Sequence, residues 1–406
     1  MFDHDQFSAR TRHLPEAARQ RAASAYAVFG EMDMPAETEE VWRYVDLGFS
    51  LDDYSLPEPP AGGPATEDPG FATAGVATIV DGTVTAVDGE GLTSGVISQG
   101  PVEPDHDVFA AAAAAFGSAG VGVTVPAGQV MEAPYLVDVR AVTEKGFSAP
   151  SVEITVGRGA VASIIVALGS ADDVDALAVP QIVADVGDGA ILDMTTVQRW
   201  SYTTRSVCHQ RVGLARDALL RFGEVGIGGA LSRLHLIVDM CGVGSSAEIS
   251  GAYFGEQTQT LDYRYFMNHR AARTRSDMFL KGALEDEAMS VFTGLIRIEP
   301  EAQKTEAFQT NRNLVLSPHA LANSVPNLEI LADDVRCGHG STVGPLDEEQ
   351  RYYLQSRGLD AERADRVQVR GFFEEALGRL PHSQVVDDVR RHLNDKYVRA
   401  QQQGRL

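Results

Sequence analysis

The chain has 406 residues, 44% of them apolar and 22% charged, which is the make-up of an ordinary globular protein long enough for two or three domains. Its 57 acids against 34 bases leave a formal charge of −23, which argues against nucleic acid or an anionic membrane as a partner. Three cysteines, Cys208, Cys241 and Cys337, are too few and too scattered for a disulfide framework.

The first residues, "MFDHDQFSAR", carry charge from the third position and have no apolar run, so they do not read as a secretory signal. A cytoplasmic location is expected. Residues 8 to 54 read as helical. "LPEAARQRAASAYAVFGEM" sets a Pro before good helix formers. "AETEEVWRYVDLGF" has acids at its front and Val41, Trp42 and Val45 at helical spacing. The Pro- and Gly-dense "LPEPPAGGPATEDPG", residues 56–70, then reads as a linker. Val108 to Met131 lacks charge and is long enough to span a bilayer, but it is mostly Ala and Gly with a Pro. It suits a short Ala-rich helix followed by a buried strand better than a membrane segment.

From about 71 to 345 the texture is short β-rich runs such as "VEITV", "ASIIVAL" and "RLHLIVDM", broken by Gly, Asp and Asn. A small residue recurs at the turns: Ala160, Ala190, Ala218 and Ala247 lie 30, 28 and 29 residues apart, and Ala288 follows after 41, as an insertion would produce. A near-constant repeat of this kind suits stacked coils that share one continuous interior. A sandwich with strands every 8–12 residues is the alternative. The spacing favours the solenoid.

Residues 346–406 hold 11 bases and 11 acids, so the whole negative charge resides upstream. Asp347 with Gln350 resembles a capping box, and Gly358 is a plausible stop for the helix between them. A second helix from about Asp360 puts Val369, Phe372, Phe373, Ala376, Leu377 and Leu380 on one side, and a third follows Ser383. The expected organisation is a helical region and linker over 1–70, a β core over 71–345 and a helical domain over 346–406.

Chemically, the notable pair is Cys337 and His339. In a strand, residues i and i+2 share a face, roughly 6.5–7 Å apart at Cα. A thiolate beside an imidazole suits iron, copper or zinc, whereas a structural reading treats Cys337 as a small buried residue next to Val335. A zinc centre or cluster commonly takes four protein ligands. This pair supplies two, so the metal reading calls for ligands from elsewhere. Gln303, Thr305, Ala307, Gln309, Asn311 and Asn313 alternate onto one face, either as a recognition strip or, preferably, as amides that satisfy one another between coils. Lys281, before a Gly, reads as an exposed turn residue. "GEVGIGGALSR" lacks the spacing of a phosphate loop. No nucleophile elbow or paired Cys-x-x-Cys occurs, and nothing demands catalysis.

At the level of whole segments, "PNLEILADDVRCGHGSTVGPLDEEQRYYLQSRGL" closely resembles the hallmark segment of the SufD branch of the SufB/SufD family of iron–sulfur cluster assembly proteins. "GALEDEAMSVFTGLIRIEPEAQKTEAFQTNRNLVLSPHA", "EEVWRYVDL" and "GVTVPAGQVMEAPYLV" are similar to other stretches of that family. Departures are modest: Phe279 stands where Tyr is common, and Gly338 where Ser or Thr is. The resemblance implies a right-handed parallel β-helix between N- and C-terminal helical regions, acting as a non-catalytic scaffold. It further implies pairing with SufB through the β-helices and binding of the ATPase SufC through the C-terminal helices. Cys337 and His339 would then serve a transient iron–sulfur cluster shared with SufB, and Tyr352, Tyr353, Leu354 and Arg357 would meet SufC. Reduced flavin is suggested for the family's complex. Two other readings stand beside it: a β-helix carbohydrate-active enzyme of lyase type, and a homodimeric scaffold.

Overall fold

The computed structural model describes residues 2–60, 69–97, 100–117 and 120–402, so positions 61–68 of the expected linker lie outside the described residues. The molecule is mainly β: a parallel solenoid of about eight turns with helices at both ends of the chain.

Helix α1 (His4–Thr11) starts at Asp3, whose side chain accepts from the Gln6 backbone in a capping box. Helix α2 (Glu16–Phe29) follows Pro15, as its first-turn Pro predicts. The second helix expected in this region does not form. "AETEEVWRYVDLGF" contains only a 3-10 turn, Glu40–Trp42, and Tyr44 has a left-handed φ of 71°. The reason is tertiary. The buried Arg233 guanidinium donates to the Val41 carbonyl and Arg264 to the Arg43 carbonyl, at 2.7 and 2.8 Å, so oxygens that a helix would use are taken. Trp42 lies under Arg233, 3.8 Å from ring centroid to guanidinium carbon, and is buried along with Val45. The apolar positions were legible, but not the conformation that buries them. The Ala-rich run forms helix α3 (Val108–Phe116), capped by Asp107, and a buried strand Gly120–Val125 follows. Among the described residues, no helix is long and apolar enough to cross a membrane.

Two sheets wind into the solenoid, and most neighbouring strands in each are parallel. One runs from Thr83–Asp88 at its start to Arg336–Gly344 at its end, and the other from Leu92–Gly95 to Leu321–Ile330. Each residue therefore sits on one about a coil earlier, and columns of side chains run through the interior. One column is Tyr135, Ile164, Met194, Phe222, Ile249, Met278, Gln309 and His339. Six apolar or aromatic levels lead to two polar ones. Burying each large apolar side chain stabilises the stack by roughly 1.5–3 kcal/mol.

The small-residue repeat is real but partly different from the sequence reading. Ala160, Ala190 and Ala218 stack in one column, each after a left-handed residue, Gly159, Gly189 or Asp217. Adding a Cβ at Gly159 or Gly189 would strain that φ. The column continues with Ser245, Thr274 and Thr305, not with Ala247, because Ala247 pairs with Leu220 two residues on. Ala288 precedes a strand of the other sheet, in line with Gln259 and Ala230. The apparent insertion is a change of turn, since Thr and Ser fill the crowded position as well as Ala does.

The helical layers cover opposite faces. Phe29, Trp42, Phe109 and Phe116 pack against Val207, Leu231 and Val291 on one sheet, and Val369, Phe373, Leu377 and Leu380 against Val197, Val225 and Phe279 on the other. The C-terminal helices are α4 (Glu348–Ser356), α5 (Ala361–Leu377) and α6 (Ser383–Gln402). Lys281 is buried rather than exposed: its ammonium donates to the Phe372 carbonyl and to Glu375, both at 2.8 Å, and so fastens α5 to the solenoid. Lys396 reaches Glu256 at 2.6 Å, and His382 pairs with Thr195 and Ser163 at 2.7 and 3.0 Å.

Midway along the solenoid the interior turns polar. Glu224 is fully buried against Gln198, and burial pushes its carboxyl up to about 8. The unfolded chain would release this proton near the ordinary carboxyl value while the folded chain keeps it, so stability falls as pH rises between about 4.5 and 8. Glu224→Gln is expected to change little near pH 5 and to stabilise by on the order of 2–4 kcal/mol at pH 8. Urea unfolding across that range would show a flatter profile. An unchanged slope would mean that Glu224 is ionised in the fold.

A solenoid end left open beside Cys337 and His339

The two ends of the solenoid are built differently. At the start, Thr83–Asp88 folds back antiparallel on Gly75–Val80, and the four-residue Leu92–Gly95 pairs antiparallel with Gly120–Val125. Short reversed strands blunt an edge. At the finish, Leu321–Ile330 and Arg336–Gly344 are long parallel strands with a neighbour on one side only. Their outer backbone groups and the mouth of the last coil face outward among the described residues.

Cys337 and His339 lie on the last strand, on one face as their spacing predicts. Cys337 stacks on Ala307 and His339 on Gln309, followed by Ser341 on Asn311 and Val343 on Asn313. Cys337 is half-buried and packs against the apolar interior, while His339 is exposed. Burial pushes the Cys337 thiol up, which favours its neutral form. Among the described residues, no third His, Cys or carboxylate joins the pair in a ligating cluster. Cys208 is buried four strands from the end of its sheet with its thiol pushed up by burial, and Cys241 is exposed on a different coil.

The amide strip forms the floor beneath the pair. The Tyr253 hydroxyl donates to Asn313 at 2.5 Å and accepts from Asn311 at 3.1 Å, Asn313 donates to Asn311 at 2.7 Å, and Ser324 closes the network from across the coil at 2.9 Å. These groups satisfy one another inside the solenoid rather than presenting a recognition strip, although the bonds run along a strand and across the interior rather than simply between adjacent coils. Around the mouth stand the exposed apolar side chains Leu321, Ile330, Leu331 and Val343, while Phe308 is exposed on the outer face of the preceding strand, beneath Gly338. The sequence reading missed this rim, because its members look like ordinary strand residues until the absence of a following coil leaves them bare.

Helix α4 touches mainly α5. Asp347 caps it by accepting from Glu349 and Gln350, Gln350 donates back to Asp347, and Gly358 follows at φ 94°. Tyr352 and Tyr353 are 75% and 57% exposed, Arg357 lies over the Tyr353 ring at 5.3 Å, and Leu354 lines a groove of about 500 Å³ with Leu314, Leu346 and Phe372.

The fold is thus a parallel solenoid with one blunted end, one open end and a thiol–imidazole pair at the open mouth. Residues 139–372 match the family model described as SUF system FeS cluster assembly, SufBD core domain, and the chain belongs to that family. It is similar to an iron–sulfur cluster assembly SufBD family protein of Mycobacterium tuberculosis, with 38% identity over 51% of this chain and 53% of the relative. Iron–sulfur cluster assembly protein SufD of Escherichia coli is 34% identical over 41% and 40% of the respective chains. The Bacillus subtilis protein of the same name is 30% identical over 50% and 47%. The match thus spans about half the length of these relatives.

Exposure separates the two halves of the site energetically. His339→Ala is expected to shift unfolding free energy by no more than about 0.5 kcal/mol, because the side chain leaves no buried partner behind. Asn311→Ala strands Tyr253, Asn313 and Ser324 and is expected to cost about 2–3 kcal/mol. Denaturant unfolding of both variants tests this. Equal costs would place His339 inside the network.

Proposed function

We propose that this chain is the SufD-type scaffold of a Suf complex. It pairs with SufB through the open solenoid end, binds SufC through α4 and lends Cys337 and His339 to a cluster completed by the partner. The observation that carries the reading is the juxtaposition at the last coil: two long unpaired strands, an apolar rim and an incomplete thiol–imidazole pair share one mouth.

The chemistry follows from the geometry. Iron as cargo is taken by soft thiolate and imidazole ligands. Two such groups on one strand face hold a nascent cluster weakly, with sulfide and the facing subunit supplying the remaining ligands. Weak holding suits a cluster that must leave. The rim supplies apolar area that a docking solenoid would cover, and the unpaired strands supply backbone donors and acceptors for continued pairing. Tyr352, Tyr353, Leu354 and Arg357 form the proposed SufC contact, since exposed Tyr and Arg beside a groove are the side chains that anchor interfaces. The absence of a phosphate-loop sequence fits a division of labour in which hydrolysis belongs to SufC. In this reading residues 1–70, 71–345 and 346–406 are the covering, docking and ATPase-binding parts, the site of action is the cytoplasm, and any reduced flavin binds to the assembled complex.

Co-expression with SufB and SufC is expected to give a three-component complex. Ile330→Glu with Val343→Glu should weaken the SufB contact by roughly 100-fold, about 3 kcal/mol, and leave SufC bound. Cys337→Ala or His339→Ala should preserve the complex and lower its anaerobically reconstituted cluster content, read from visible absorbance and bound iron. Full cluster content in both variants would remove the proposed ligand role. Intact assembly in the Glu pair would move the interface elsewhere.

A further inference from the structure

A second group of ligating side chains lies away from the open end, where the N-terminal layer meets the solenoid. His209 and His235 are stacked partners on adjacent coils, and His106 and Asp107 come from the turn that starts α3. The Asp107 carboxylate caps α3 with Oδ1, accepting from the Ala110 N–H at 2.7 Å, and turns Oδ2 to His209 Nε2 at 3.1 Å. His106 Nε2 lies 4.0 Å from the same Oδ2. One ligand atom from each of His106, Asp107 and His209 falls within 4.8 Å of the others. The His235 ring stands 4.5 Å from His106 and 6.0 Å from His209, between them and Phe266.

A hydrogen-bonded Asp–His pair would need only one imidazole. Here two imidazoles, His106 and His209, flank one carboxylate with His235 beside their rings, and His235 Nδ1 is fully buried with no hydrogen-bond partner, in a side chain left 3% exposed. An orphaned buried nitrogen is costly unless something fills it. Arg233, the nearby cation, is engaged by Asp262.

We propose that His106, Asp107, His209 and His235 form a binding site for one borderline divalent cation, zinc or ferrous iron. Three nitrogens and one carboxylate oxygen are the donor set such ions take, with bonds of about 2.0–2.2 Å for zinc. Asp107 and His209 already stand at ligand-to-ligand separation with His106 within 4.8 Å of both, and His235, outside that group, joins it by rotation of its ring. His209 Nδ1 now faces the Gln181 amide nitrogen at 3.0 Å, so that Nε2 carries the proton given to Asp107. Metal at Nε2 shifts that proton to Nδ1, and a turn of the Gln181 amide presents its oxygen to accept it. The ion ties the α3 cap to two coils of the solenoid and so fastens the N-terminal layer. It is independent of the open end and of the cluster cargo.

The test uses the full chain stripped with chelator and titrated with zinc, with ferrous iron under anaerobic conditions, and with cobalt(II) as a spectroscopic probe. One ion per chain is expected, with nitrogen-ligated cobalt absorption and a higher melting temperature. His106→Gln, at a partly exposed position, and His209→Gln, which keeps a hydrogen-bonding side chain, should each weaken binding by roughly tenfold or more while circular dichroism stays unchanged. The Cys337→Ala/His339→Ala chain should bind the ion as the parent does. No stoichiometric binding, binding indifferent to His106 and His209, or binding lost with the Cys337/His339 pair would each overturn the proposal.

Discussion

Parallel register is the constraint on which the rest of this molecule depends. Because each strand pairs in step with the one a coil earlier, a side chain's neighbours are fixed by residues some 27–31 positions away rather than by its own segment. An interior column must be filled at every level. Where the columns change from Met278 to Gln309 and from Leu280 to Asn311, apolar side chains give way to a hydrogen-bonded network. Among the described residues the last level has nothing above it, so its occupants, Cys337, His339, Ser341 and Val343, are left uncovered at the mouth. The open mouth is a consequence of stopping the repeat, not a separately built pocket.

The same constraint sets what the sequence revealed and what it hid. Local features were legible: the Asp347 cap, the Gly358 stop and the shared face of Cys337 and His339 depend on residues within a few positions of one another. The apolar face of α5 was legible for the same reason. Features decided a coil away were not. Lys281 looks like a turn residue until α5 places the Phe372 carbonyl and Glu375 against it. The Trp42 segment has helical spacing, yet two guanidinium groups nearly 200 residues or more downstream take its carbonyls. The small-residue column continues through Ser245, Thr274 and Thr305, which no search for repeated Ala would align.

Buried charge follows a consistent logic. Asp262 accepts from both Arg233 and Arg264, and those arginines spend their remaining donors on the backbone of the Trp42 segment. A buried pair of this kind gives little net stability over a well-packed apolar substitute, but removing one partner is expensive. What it supplies here is specificity. The N-terminal layer can dock in one register only, because a shifted segment would leave two guanidinium groups unpaired in an apolar interface.

Coverage then decides where a partner can act. One helical layer seals the outer face of one sheet, the other layer seals the second, and antiparallel strands blunt the first coil. Among the described residues, only the final coil presents long strands whose backbone is unpaired on one side. A partner offering its own terminal coil would extend the columns across the joint, setting its side chains above Cys337 and His339 at the spacing of adjacent strands, about 4.8 Å. That distance is within reach of shared coordination and too close for an unfilled gap. The repeat that builds the scaffold would therefore also aim the ligands that complete its site.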